Sequence, residues 1–178
     1  MNETYKVQVQ GLVDDLKAVF THAGLGGEAG EYKLLTQSFL YKFLNDKFLY
    51  QAKVLDESNT YENLLAMSEE DYDWLLEDIG TSTAWLKPDQ LIESLHRQQN
   101  EPTFYETFEN TLNQIAIDNN DIFSVHTDGD TAIRLFDERL ITDTISDSSK
   151  RNEVAKSIIN LLARVKFDET IFSQGFDF

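Results

Sequence analysis

Apolar residues recur along this chain with the spacing of helices. Val9, Leu12, Val13, Leu16, Val19 and Phe20 fall at i, i+3, i+4, i+7, i+10 and i+11, which lines one face of an amphipathic helix. The pattern ends near Thr21–Ala23, where glycines 24, 26, 27 and 30 interrupt it. From 31 to 53 the sequence EYKLLTQSFLYKFLNDKFLYQAK is apolar over most of a helix circumference. Tyr32, Leu35, Phe39 and Phe43 share one side, Leu40, Leu44 and Phe48 extend around it, and Leu34, Tyr41 and Leu49 fall elsewhere. A helix with so wide an apolar surface is covered by neighbours on several sides, so this one is expected at the centre of the fold.

Further along, 58–67 reads as a linker with a short apolar piece. Ser68-Glu69-Glu70-Asp71 is a helix start signal, followed by Tyr72, Leu75, Leu76 and Ile79 and closed by Gly80. Pro88 and Pro102 each begin a helix, the first carrying Leu91, Ile92 and Leu95, the second Phe104, Tyr105, Phe108, Leu112 and Ile115. Asp118–Asp121 reads as a loop and Asp128-Gly129-Asp130 as a turn. The stretches 122–125 and 132–136 fit one or two short strands or irregular packing equally well. Residues 142–149 are polar and turn-like. A last helix from about Ser149 to Val165 carries Val154, Ala155, Ile158, Leu161 and Leu162. The expected fold class is mostly α: a multi-helix domain built around the helix at 31–53.

Composition narrows the chemistry. A hydrophobic content of 41%, with 12% aromatic residues, supplies a core and excludes global disorder. The absence of cysteine removes disulfides, thiolate nucleophiles and Cys-based zinc sites, and it fits a cytoplasmic location. No apolar segment is long enough to span a bilayer, and the N-terminus has no secretory h-region. The formal net charge of −17 opposes a broad nucleic-acid groove, because phosphate binding needs clustered Lys and Arg. The charge is uneven. Between Lys53 and Lys87 there are nine acids and no base, whereas Lys150, Arg151, Lys156, Arg164 and Lys166 face only Glu153. These five are the candidate contacts for DNA or a neighbouring subunit; the plainer reading is a solvated polar face.

Catalytic and cofactor motifs are missing. Gly24, Gly26 and Gly30 give G-x-G-x-x-x-G after a helix, not G-x-G-x-x-G after a strand, so they read as a helix–helix connection. His22, His96 and His126 are far apart, with no short zinc-ligand pair. No G-x-S-x-G elbow supports a triad, and Asp118–Asp121 lacks the calcium-loop pattern. Trp74 and Trp85 read as packing residues, since a base-stacking platform needs nearby cations. No residue is assigned to catalysis, to a cofactor or to a metal. The acidic stretch 56–78 reads as a solvated face, with a DNA-mimic surface as the sharper alternative.

One segment is more specific. FLYKFLNDKF (39–48), preceded by Glu31-Tyr32-Lys33 and an apolar run, resembles the N-terminal helical domain of the modification (M) subunit of type I restriction–modification systems. There the stretch reads Tyr-Lys, a short apolar run, then Phe-Leu-Lys-aromatic-Leu-Ser-Asp-x-Phe. This chain departs from it by carrying Tyr41 one place before Lys42. The resemblance implies that 1–178 is a single N-terminal helical domain. A catalytic domain that binds S-adenosylmethionine is then expected after 178, with FSQGFDF leading into it. The parent activity would be methyl transfer to adenine N6 in DNA, which needs an Asn/Asp-Pro-Pro-Tyr/Phe motif to hold the flipped base. Only Pro88 and Pro102 occur here, so these residues alone do not carry that reaction. The implied partners are a specificity subunit, a second modification subunit and, in the assembled complex, DNA. The alternatives are a stand-alone acidic helical interaction module and a DNA-mimic inhibitor.

Overall fold

The computed structural model describes residues 3–123, 125–126, 132–133, 135–167 and 169–173. The elements run α1 (Glu3–His22), α2 (Ala29–Leu55), α3 (Tyr61–Ala66), α4 (Glu69–Ile79), α5 (Ile92–Arg97), α6 (Phe104–Asp118), α7 (Asn120–Phe123), β1 (Val125–His126), β2 (Ala132–Ile133), α8 (Leu140–Thr144), α9 (Ser148–Arg164) and α10 (Thr170–Ser173). The fold is mostly α. Among the described residues two short strands pair antiparallel, Val125 opposite Ile133. The turn expected at 128–130 lies outside the described residues, as do 174–178 of the closing FSQGFDF.

Two long helices organise the core. α2 packs against α1, α4, α8 and α9, and α9 packs in turn against α1, α5, α6 and α8. Their buried apolar residues belong to one cluster that extends from Tyr5 to Phe172. In α1 the buried stripe is Tyr5, Leu12, Leu16 and Phe20. Gly24 then turns at φ 85°, a left-handed conformation that glycine adopts without a Cβ penalty. α4 starts where Ser68 accepts a bond from Asp71 N at 3.1 Å, and it stops at Gly80 with φ 70°. α9 starts where Asp147 accepts from Ser149 N at 3.0 Å.

α2 is central and covered on several sides, as its apolar surface implies: Leu34, Ser38, Tyr41, Asn45, Phe48 and Ala52 form one buried stripe, and Phe43 and Leu44, on other sides, are buried as well, whereas Tyr32 is 71% exposed. A helix apolar nearly all round gives periodicity no single face to choose.

Four expectations are corrected. The linker at 58–67 contains α3, capped by Thr60 and anchored by the buried Leu64. The helix at Pro88 breaks after one tight turn, and α5 restarts at Ile92. There, Tyr41 OH donates to Gln90 O, and Ile92 N donates to Asn45 Oδ1 at 2.9 Å. These bonds to α2 replace the helical ladder. The loop at 118–121 is the end of α6 and the start of α7, turned around the buried Asn119, which donates to Ile115 O at 2.9 Å. The polar stretch 142–149 overlaps α8, whose Ile141 N and Thr142 N donate to Glu109 of α6 at 3.1 and 3.0 Å. Among the described residues, no helix is long and apolar enough to cross a membrane.

Candidate functional site

Three polar residues of the 39–48 segment, Lys42, Asn45 and Asp46, meet in one place. Lys42 and Asp46 lie one turn apart on α2, and Lys42 Nζ stands 3.0 Å from Asp46 Oδ2 with side chains only 5% and 15% exposed. Asn45 Nδ2 donates to Asp46 Oδ1 at 3.0 Å, while Asn45 Oδ1 receives the Ile92 N–H. The Phe167 backbone also donates to Asp46, and Lys42 Nζ lies 5.5 Å from the Phe167 ring centroid. The three side chains therefore tie α2 to the start of α5 and to the segment that follows α9. Burial raises the Asp46 carboxyl above its usual range. Lys42 and the hydrogen bonds from Asn45, Lys42 and Phe167 oppose that rise. Burial, with the Asp46 charge added, also raises the Tyr5 hydroxyl.

These groups floor a cleft of about 460 Å³ between α2, α5 and the chain around Phe167. Its rim is lined with ion pairs. Lys53 faces Glu169 at 3.7 Å, and Arg97 bonds Glu62, lies 3.6 Å from Glu93 and rests 4.8 Å from the Tyr61 ring centroid. Each acid of the cleft thus has a cation against it. The ion pairs and hydrogen bonds of this arrangement join α2, α5 and the segment after α9.

The five basic candidates do not converge. Arg151 is committed internally: its Nε donates to Ile145 O at 2.7 Å, and its guanidinium lies 5.6 Å from the Tyr105 ring centroid. It closes the α8–α9 connection. Arg164 stands 3.6 Å from Asp15 of α1 in an exposed pair. Lys166 is exposed on the rim of the cleft, and its carbonyl accepts from Gln8 at 2.8 Å. Lys150 is exposed in the first turn of α9, and Lys156 is half-buried in the middle. From Lys150 to Arg164 the helix rises about 21 Å, so the basic residues are spread along a rod rather than gathered.

The glycine connection lies between α1 and α2, without the strand that a methyl-donor loop of the resembling family follows. One of its glycines has a packing role, since a Cβ on Gly30 would overlap Thr144 Cγ2 of α8. Among the described residues, no group of His, Asp and Glu is placed to hold a metal ion. His22 is exposed at the end of α1 and His96 is half-buried in the last turn of α5; the His126 side chain lies outside the described residues. Trp85 packs as expected, with Nε1 donating to Gly80 O at 2.7 Å. Trp74 does not: it is 62% exposed on the outer face of α4.

Sequence reasoning missed Asn45, Asp46 and Glu109 as buried polar anchors. Asn45 and Asp46 lay in full view within the specific segment, whereas nothing local marks Glu109, whose partners lie on α8. No protein-family model matches this chain, and neither a curated protein nor a solved structure matches it.

Proposed function

We propose that this chain is the N-terminal helical domain of a type I modification subunit, an adenine-N6 DNA methyltransferase. In that role it helps assemble the subunits and close them around DNA. The observation that carries the reading is the α2 segment itself. Lys42, Phe43, Leu44, Asp46 and Phe48 are the residues by which 39–48 resembles the family, with Asn45 standing where the family has Ser. They are also the residues that α2 commits to the interior and to the junction with α5. A pattern kept for packing suits a structural domain that positions other parts.

In this reading the chemistry lies elsewhere in the parent protein. A catalytic domain holds S-adenosylmethionine and the flipped adenine. The helical domain meets a specificity subunit and a second modification subunit, and DNA approaches only in the assembled complex. The charge of −17 favours protein contact over broad DNA contact.

The test is to co-express the complete reading frame with the specificity subunit of the same locus. The purified material is then assayed for N6-methyladenine in duplex DNA after incubation with S-adenosylmethionine. The reading expects co-purification and methylation, both lost when residues 1–178 are deleted. Methylation that persists without 1–178, or a complete product that forms no methyladenine, overturns it.

A further inference from the structure

Trp74 occupies a position that folding alone does not explain. The inner face of α4 buries Tyr72, Leu75, Leu76 and Ile79. On the outer face Glu69, Glu70, Asp73 and Glu77 surround Trp74, and together they line a shallow depression of about 510 Å³. Glu70 and Glu77 stand four residues before and three after the indole, which are the neighbouring positions on a helix surface. The sequence offers no base between Lys53 and Lys87 to neutralise them. Solvation gives an acidic face no gain from a large aromatic ring, and tryptophan is enriched, with tyrosine and arginine, where binding energy concentrates.

We infer that the outer face of α4 docks a basic polypeptide segment, with an arginine or lysine of the partner on the Trp74 ring and neighbouring basic residues on Glu70, Asp73 and Glu77. Charge complementarity selects this occupant. A ring quadrupole attracts a cation on its face, and carboxylates at its edge attract the same charges. Phosphate backbones and anionic lipid surfaces are repelled by the same carboxylates. So is a second copy of a chain at −17. The inference is independent of the proposed parent protein, since it rests on α4 alone.

The test uses the full chain and a fluorescein-labelled nonapeptide of alternating arginine and glycine, read by anisotropy at physiological salt. Trp74→Ala leaves the charge unchanged and is expected to weaken binding at least fivefold; Trp74→Tyr, which keeps a ring, is expected to stay within about threefold of the parent chain. The triple change Glu70→Gln, Asp73→Asn, Glu77→Gln is expected to weaken it at least fivefold. Removing three exposed acids elsewhere, Glu28→Gln, Asp121→Asn and Glu153→Gln, is expected to leave it within twofold. Circular dichroism checks that each variant is folded, and Trp74→Tyr provides the comparison should the alanine variant not be. Equal binding by parent and Trp74→Ala, equal losses from both triple changes, or no binding by the parent chain would each overturn the proposal.

Discussion

At the scale of single residues, the buried polar groups of α2 decide more than the surface charges do. Lys42 and Asp46 are both nearly out of water, and removing Lys42 leaves the Asp46 carboxylate without a counter-charge, held only by the hydrogen bonds from Asn45 and Phe167. Lys42→Met is expected to cost about 3–5 kcal/mol in urea unfolding. The double change Lys42→Met, Asp46→Leu is expected to cost clearly less than the sum of the single changes; strict additivity would mean that the pair is not coupled. Ser38 is the opposite case. Its Oγ is buried without a hydrogen-bond partner, so Ser38→Ala is expected to be neutral or to stabilise by about 1 kcal/mol. Tyr41 and Tyr72 give a pH signature. Burial raises both phenols above the ordinary value of 10.0. Above that pH the unfolded chain ionises them while the folded chain keeps them neutral. Their contribution is therefore fully present below pH 10 and is progressively lost as pH rises above it. Denaturant midpoints measured from pH 9 to pH 12 are expected to fall, and Tyr72→Phe is expected to flatten that fall.

At the scale of elements, what the sequence showed and what it hid divide along a physical line. α1, α4, α6 and α9 carry their own signals: an apolar stripe long enough to count and, for α4, a cap and a stop. Ser68→Ala is accordingly expected to cost about 1 kcal/mol, through α4. Among the short helices, α3 has its own cap at Thr60 and α5 its apolar run after Pro88, whereas α8 takes its order from a distant partner. The first N–H groups of α8 are satisfied by Glu109, whose carboxylate also accepts from Thr142 Oγ1 at 2.7 Å. The break at Leu91 exists because Tyr41 and Asn45 take the backbone groups that a continuous helix would have used. No local propensity reports that. The glycine connection was legible as a connection, but not its close approach at Gly30. Gly30→Ala is expected to destabilise by about 1–3 kcal/mol as α2 is forced from α8. Adding Thr144→Ser, which removes the obstructing methyl, is expected to recover most of that loss in the same unfolding experiment.

At the scale of the whole molecule, charge and the distribution of cations set the partners. The basic excess near the C-terminal end was visible in the sequence. Its dispersal was not: composition cannot reveal that Arg151 is spent on the α8–α9 turn or that Arg164 faces Asp15. With −17 overall and no gathered basic patch among those five residues, the chain by itself is expected to bind duplex DNA no more tightly than non-specific association, about 10⁻⁴–10⁻⁶ M at physiological salt. The acidic face of α4 directs attention to protein partners instead. The proposal that the chain belongs to a modification subunit is tested most directly by reading the gene beyond the codon for Phe178. The account predicts an open frame that reaches a strand–glycine loop and an Asn/Asp-Pro-Pro-Tyr/Phe motif. A stop codon at that point, with a native mass of 20.5 kDa, would contradict it.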